Sequence, residues 1–422
     1  MISTFFIISA AGFLIGFPIA FTMGFSSIVY TIMAGMPSGV VIQRLFAGID
    51  RAPLMAIPFF ILAGELMNQG GIAKRLVALA NAMVGNMYGS LGIVTVASCM
   101  FFSAISGSAI AVAASIGTIM IPVMVKANYD REFATAIIAT TSPIGAIIPP
   151  SITFITFGVL TGTSITELYL AGIPSGIIMG ILMFAYVYII ARKNKIRTQV
   201  QKTTMKEKLL LLRNAVWAIG APVILLGGVF SGLFTPTESA VIAVVYSLIV
   251  GLFIYKDLTL KETYQIFVRS AVGTARIMLI IATATLFAYI MTFERVPQGI
   301  LEGLGAITEN KILTLLLINL ILLAMGTFMD TTAIIIITVP LLWPIITKIG
   351  IDPVHFGLIV TVNTAIGFVT PPIGVCLFTA ASVGQVQVER LSKAVLLPIC
   401  FLITGLIIIT YFPQSMMFLV GR

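Results

Sequence analysis

Apolar stretches long enough to cross a bilayer follow one another along nearly the whole chain, and one segment breaks the pattern. Residues 192–208 read RKNKIRTQVQKTTMKEK, and together with Arg213 this stretch carries eight basic residues against the single acid Glu207. A helix needs about 20 predominantly apolar residues to span, and 422 residues leave room for roughly ten to twelve such spans with short connections. Only 9% of the residues are charged, against about 25% in soluble domains. A soluble enzyme and a disordered chain are thereby excluded, and the expected class is an all-α polytopic membrane protein. The net charge of +9 calls for no nucleic acid, because cytoplasmic loops of membrane proteins are enriched in Lys and Arg. The same rule places 192–208 in the cytoplasm. Residues 1–33 lack a basic n-region and an A-x-A site, so they are expected to stay as membrane helix rather than be removed as a signal peptide.

The basic segment divides the chain almost in half, and the halves repeat. At an offset of 222 residues, Pro122, Lys126, Asp130, Ile137, Ile144, Gly145, Pro149 and Pro150 recur as Pro344, Lys348, Asp352, Ile359, Ile366, Gly367, Pro371 and Pro372. These eight identities in 29 positions compare with roughly three expected by chance in a chain of this bias. Each half also contains a long apolar stretch with a polar interruption, FFSAISGSAI at 101–110 and MGTFMDTTAI at 325–334. As one helix, 90–126 is far too long for a ~30 Å hydrocarbon core. As a re-entrant hairpin, two half-helices meet at Ser103, Ser106, Gly107 and Ser108, a break tolerated where it lines a cavity or is buried in protein. The helix after each hairpin carries its own breaker: TSPIGAIIPPS (141–151) and NTAIGFVTPPIG (363–374) contain prolines that lack an amide donor and disfavour helix before them. A broken helix beside a hairpin tip, twice, is transporter architecture.

Spans are expected near 3–15, 17–35, 53–69, 131–162 and 166–191, then near 209–232, 238–256, 273–292, 354–382 and 394–419, with 3–35 open to a reading as one kinked helix. Five crossings per half make the repeat inverted. With 192–208 inside, 18 basic residues fall inside and six outside: Arg44, Arg51, Arg295, Lys311, Lys348 and Arg422. The expected organisation is a first repeat at 1–191, the basic linker at 192–208 and a second repeat at 209–422. The first repeat divides into scaffold and arm helices at 1–52, a transport part with hairpin 1 at about 53–162, and a scaffold helix at 166–191. The second divides into scaffold and arm at 209–272, a transport part with hairpin 2 at about 273–382, and a scaffold helix at 394–419. Segments 41–51 and 260–270 look amphipathic and suit either interfacial arms or ordinary connections.

Ionisable residues within spans are costly and therefore functional candidates. Asp330 sits at the second hairpin tip, at the position of Ser108 in the first. Glu65 and Arg276 lie near span ends, where long side chains reach the interface. Thr235-Pro236-Thr237-Glu238 reads as a capping box with Pro at N1. Cys99, Cys376 and Cys400 read as small buried hydrophobes. The single His355 cannot build a His-rich metal site, and no Walker A motif, HExxH or Ser/His/Asp set points to catalysis. The hairpins and broken helices instead offer what a hard cation takes: carbonyls freed by unwound backbone and hydroxyls beside them. The expected Na⁺ ligands are Ser103, Ser106, Gly145, Ile148 and Pro150 in the first half, and Gly326, Met329, Gly367, Thr370 and Pro372 in the second.

PFFILAGELMNQGG (58–71), SGSAIA (106–111), TSPIGAIIPPS (141–151), GLFTPTESA (232–240) and TPPIGVCLF (370–378) together resemble the large membrane subunit of tripartite ATP-independent periplasmic (TRAP) transporters, over essentially the whole chain. The resemblance implies an elevator-type, Na⁺-driven importer of organic acids such as sialic acids or C4-dicarboxylates, in the bacterial inner membrane. It also implies two partners: a small four-helix membrane subunit, expected on a separate chain, and a periplasmic substrate-binding protein. The coupling ion is Na⁺, with no further cofactor. Ser108, Ser151, Asp330, Thr331 and Asn363 are the substrate-side candidates. A one-component carrier of the same inverted-repeat superfamily and a gated channel are the rival readings. No Arg stands at either tip, so a substrate carboxylate is expected to meet half-helix N-termini and hydroxyls.

Overall fold

A computed structural model of the chain describes residues 1–83, 87–196, 205–299 and 310–421, so the centre of the basic linker, 197–204, lies outside the described residues. The regular structure of the described residues is helical. The first half forms α1 (Ile2–Ile15), α2 (Ile19–Met33), α3 (Ser38–Ile49), α4 (Ala56–Gln69), α5 (Ile72–Met83), α6 (Ser90–Ser106), α7 (Ala109–Lys126), α8 (Arg131–Thr141), α9 (Ile152–Thr161) and α10 (Ile165–Lys193). The second forms α11 (Met205–Phe230), α12 (Pro236–Ile249), α13 (Leu260–Phe293), α14 (Lys311–Gly326), α15 (Thr331–Lys348), α16 (Pro353–Gly367), α17 (Val375–Gly384), α18 (Val388–Ala394), α19 (Leu396–Tyr411) and α20 (Gln414–Met417). Among the described residues six helices are long and apolar enough to cross a membrane, or eight if two bent pairs each count as one span.

Local chemistry explains several boundaries. Residues 3–35 form two helices, because Gly16 takes φ +80° and Pro18 opens the next helix. Gly12 packs directly against Thr22, so α1 folds back along α2. With 14 and 15 residues, each is only about 21–23 Å long. Neither alone fills a ~30 Å core, and as two crossings or as none they leave the parity of the later spans unchanged. α12 begins with the expected capping box: Thr235 Oγ1 accepts from the Glu238 amide, and Glu238 Oε2 accepts from the Thr235 amide at 2.8 Å. A second box, Thr259 with Glu262, opens α13. The segments expected as matching arms differ in form. α3 bends by 61° into the helix that includes α4, whereas 260–270 runs unbroken into the 34-residue α13. Cys99 and Cys376 are buried as expected, but Cys400 is exposed, because it lies on the outer face of α19.

The helices pack as two groups that meet through α5 and α4 on α6 and α13 on α15, with Gly64 of α4 against the Ser106 backbone of the hairpin 1 tip. α1–α5 associate with α11–α13, chiefly through α4 on α12, α3 and α2 on α13, and α5 on α11. α6–α10 associate with α14–α20. α10 and α19, expected as scaffold, pack beside the hairpins, whereas α4, α5 and α13, expected within the transport parts, make their largest contacts with α12, α11 and α3. Gly172 and Gly176 bring α10 onto Ile147 and Ile148 of the first broken helix, the Ile409 carbonyl of α19 meets His355 Nε2 at 2.8 Å, and Thr410 meets Asn319. Small residues and buried polar bonds, neither visible as hydropathy, decide this grouping.

Candidate functional site

Hairpin 1 turns where α6 ends. Gly107 takes φ +62°, and its amide bonds back to the Ser103 carbonyl at 3.2 Å. Ser108 then caps α7, its Oγ accepting from the Ala111 amide at 3.4 Å. The tip rests on the break between α8 and α9, formed by a 3-10 turn at Ser142–Ala146 and a cis Pro149–Pro150 bond. A Cβ on Gly107 would lie 2.5 Å from the Pro150 carbonyl oxygen, and one on Gly145 would lie 3.1 Å from the Ser108 oxygen. The backbone therefore brings Ser108, Gly145, Pro150 and Ser151 into one place, with Ser106 alongside through a 3.4 Å bond from its hydroxyl to the Ser108 carbonyl. Ser151 caps α9, while its hydroxyl donates to the Ala146 carbonyl at 2.6 Å. Ser103 lies one turn back, donating to the Cys99 carbonyl at 2.6 Å. The Ile148 side chain turns away toward Gly176 of α10.

Hairpin 2 repeats the arrangement. Asp330 caps α15 as Ser108 caps α7, its Oδ1 accepting from the Thr332 amide at 2.8 Å. The offset of 222 thus pairs two N-caps, and the half-buried Asp330 carboxylate has a local structural partner. The break after α16 contains a cis Pro371–Pro372 bond and Gly374 at φ +45°. The Gly374 amide donates to the Thr327 carbonyl of the tip at 3.1 Å. Gly326 and Gly367 meet backbone to backbone: a Cβ on Gly367 would lie 2.4 Å from the Gly326 Cα. The Met329 amide closes onto the Met325 carbonyl, and the Thr370 hydroxyl donates to the Ile366 carbonyl at 2.9 Å. The halves differ in cover: 142–151 are buried throughout, whereas Pro372 and Ile373 are exposed.

Asn363 lies one turn before Gly367 and is fully buried. Its amide nitrogen donates to both the Asn319 carbonyl and Asn319 Oδ1, at 2.9 and 2.8 Å, and Asn319 reaches Thr410 at 3.1 Å. Both Asn363 donors are thus committed to α14, and only its Oδ1 remains without a protein partner. Thr331 Oγ1 is likewise buried and unpartnered. Sequence reasoning missed Thr141, which occupies the place of Asn363 at the same offset and also carries a buried, unpartnered Oγ1. The repeat comparison already pairs the two positions, as the first residues of TSPIGAIIPPS and NTAIGFVTPPIG. Asn319 had no such signal, because its role depends on α14 meeting α16. Buried polar atoms rarely lack partners, and Thr141, Thr331 and Asn363 are three of several such atoms here, these three lying beside the tips and breaks, while others such as Ser27, Ser239 and Ser270 lie elsewhere. These oxygens are neutral, and no cluster of His, Cys, Asp and Glu able to hold a metal occurs among the described residues.

Comparison with known proteins agrees with this architecture. Residues 5–415 match the family model of the tripartite ATP-independent periplasmic transporter, DctM component. The isethionate TRAP transporter permease protein DctMQ of Oleidesulfovibrio alaskensis is 43% identical over 96% of this chain, and the chain spans 64% of that relative's length. The C4-dicarboxylate TRAP transporter large permease protein DctM of Pseudomonas aeruginosa is 40% identical, covering 88% of this chain and 86% of the relative. The sialic acid TRAP transporter large permease protein SiaM of Vibrio cholerae is 36% identical over 94% and 93%. These relatives are named as transporter permeases, not enzymes. The YdaH transporter of Alcanivorax borkumensis shares the fold, with a TM-score of 0.63 at 15% identity over 88% of this chain and 86% of its own. An all-helical chain with several apolar spans, matched along nearly its whole length by this one transporter family, belongs to the DctM family of TRAP transporter large membrane components.

Proposed function

We propose that the chain is the large membrane subunit of a Na⁺-coupled importer of organic acids, in which α6–α10 with α14–α20 move as one body against α1–α5 with α11–α13. The observation that carries this reading is the paired arrangement of tip on break: Gly107 on Pro150 and Gly326 on Gly367, each in backbone contact. Backbone so close has no slack, so a small ligand-induced change at either break is felt by its hairpin. In this reading α10 and α19 travel with the hairpins, and α4, α5 and α13 belong to the other body. Both hairpins are read as re-entrant, with 192–208 in the cytoplasm of a bacterial inner-membrane protein.

Ser103, Ser106, Gly145, Ile148 and Pro150, joined by Thr141, would hold one Na⁺, and Gly326, Met329, Gly367, Thr370 and Pro372 a second. Bound there, Na⁺ supplies positive charge at the tips. Ser108, Ser151, Asp330 and Thr331 form the substrate side, where the starts of α7, α9 and α15 present helix N-termini to an acid group. Asn363 keeps α14 against α16 and offers its Oδ1. The named substrates of the relatives, isethionate, C4-dicarboxylates and a sialic acid, each carry at least one anionic acid group, a sulfonate or a carboxylate, and differ in the rest, which is why an anionic group is taken as the common feature. A small four-helix subunit and a periplasmic binding protein complete the transporter.

The test is uptake into proteoliposomes holding the chain with its partner subunits. Succinate, isethionate and N-acetylneuraminate are offered under an inward Na⁺ gradient or a proton gradient alone. Uptake of at least one acid that requires Na⁺ and rises steeply with it supports the reading. Full uptake on a proton gradient without Na⁺ overturns it.

A further inference from the structure

The seam between the two groups of helices holds a cavity of about 760 Å³ that touches neither hairpin tip. One wall is the bend between α3 and α4 and the start of α12. The other is the end of α9 and the first turn of α10. A smaller cavity of about 180 Å³ lies between α3, α9, α13 and α15. Arg51 and Val159 line both cavities, and Arg51 is the one basic residue lining either.

Arg51 reaches across the seam. Its Nη1 donates to the Val159 carbonyl at 2.7 Å. That carbonyl is available for a local reason. In a continuing helix the Thr163 amide would take it, but α9 stops at Gly162 with φ +74°, and the Thr163 amide turns to the Thr161 hydroxyl at 3.3 Å. The last carbonyls of a helix lack partners and carry the negative end of its dipole. A guanidinium from one body thus caps a helix of the other. The opposite end of α9 is Ser151, at the first break.

The geometry points to Arg51 as the recognition residue of an anion-binding vestibule, where it exchanges the Val159 carbonyl for the acid group of an organic-acid substrate. A guanidinium carries five donors in a planar fork that matches an oxyanion, and a charged acceptor holds it more strongly than a neutral carbonyl. The volume falls within the range of small-molecule sites. Pro53, Met55 and Ile165 give this open cavity apolar walls beside the exposed Arg51. The one acid in the lining, Glu238, is turned to its own capping box, accepting from the Thr235 amide and hydroxyl at 2.8 and 2.9 Å. The exchange releases one link between the two bodies at the C-terminal end of α9, beside the packing of α5 and α4 on α6 and of α13 on α15. This inference rests on the organic-acid reading above but places a site outside the tips.

The test uses the chain with its partner subunits in nanodiscs, with Cys400→Ser removing the one exposed cysteine and Thr166→Cys placed in the vestibule. Labelling by a neutral maleimide is timed with sodium chloride or with succinate, isethionate or N-acetylneuraminate at equal Na⁺ and ionic strength. Because Arg51 reads the acid group alone, each of the three acids slows labelling severalfold. Arg51→Gln abolishes that protection and Arg51→Lys, which keeps the charge, retains part of it. In proteoliposomes Arg51→Gln raises KM about tenfold, the loss expected for one charged hydrogen bond, with kcat changed far less. No protection by any acid, or equal protection in Arg51→Gln, overturns the vestibule. If wild-type uptake of all three acids fails while protection persists, the transport reading falls and the vestibule stands. Uptake without protection gives the reverse.

Discussion

Gly367→Ala tests whether contact between tip and break controls ion coupling. Gly367 is helical, so the substitution introduces no backbone strain of its own and acts only through space. The added methyl would lie 2.4 Å from the Gly326 Cα and 2.6 Å from its carbonyl carbon, where ordinary contacts are 3.4–4 Å. The two backbones must therefore part by about 1 Å, and no flexible side chain can give way between them. Overpacking of this kind costs about 1–3 kcal/mol. Charged to the Na⁺-bound arrangement, that is a loss of about 5- to 150-fold in apparent Na⁺ affinity. Na⁺-dependent uptake in proteoliposomes and the Na⁺-induced rise in thermal unfolding temperature both read it. Gly227→Ala is the control: its Cβ meets nothing within 4 Å, and replacing a helical Gly by Ala stabilises by about 0.5–1 kcal/mol. Wild-type Na⁺ dependence in a folded Gly367→Ala protein would refute the reasoning.

Three further outcomes follow from the same geometry. Asp330→Ala loses transport and about 0.5–2 kcal/mol of stability with its cap. Asp330→Asn, which can still cap, keeps the stability and also loses transport; wild-type uptake by the Asn variant would reduce Asp330 to a cap. Glu262→Ala, which opens the second capping box far from the tips while Thr259 still caps the helix, lowers the thermal unfolding temperature slightly and leaves Na⁺-dependent uptake in place. Loss of that uptake would show that α13 does more than support. On a cysteine-free background, Lys348→Cys reacts with an impermeant thiol reagent in intact cells and Lys393→Cys does not, and the opposite pattern would invert the orientation.

The parts of this fold that were legible in the sequence are those written in local chemistry. The Pro-Pro breaks, the small polar tips and the Thr235–Glu238 box each depend on residues within a few positions, and the structure places all three as read. The repeat offset also paired Ser108 with Asp330 correctly, because an N-cap is a local role that a serine and an aspartate fill equally well. What hydropathy hid was which helices touch. α10 and α19 look like any other span. Their places beside the hairpins depend on Gly172 and Gly176 admitting the broken helix and on Thr410 and the Ile409 carbonyl meeting Asn319 and His355. A membrane offers little hydrophobic bias between helices, so small residues and buried polar bonds decide packing. Arg51 was legible only as an external charge. Its reach across the seam arises from the way α9 ends, a detail of one carbonyl.

The central claim is that two rigid groups of helices move past each other under Na⁺. The most direct measurement is the distance between spin labels at Phe234 and Phe412, exposed sites on the first and second group, in nanodiscs with the partner subunits. It is compared with the distance between Leu233 and Phe293, exposed sites within the first group. The account predicts that Na⁺ with substrate shifts the distribution between groups and leaves the distribution within the group unchanged. A fixed distance between groups, under conditions that support uptake, would contradict it.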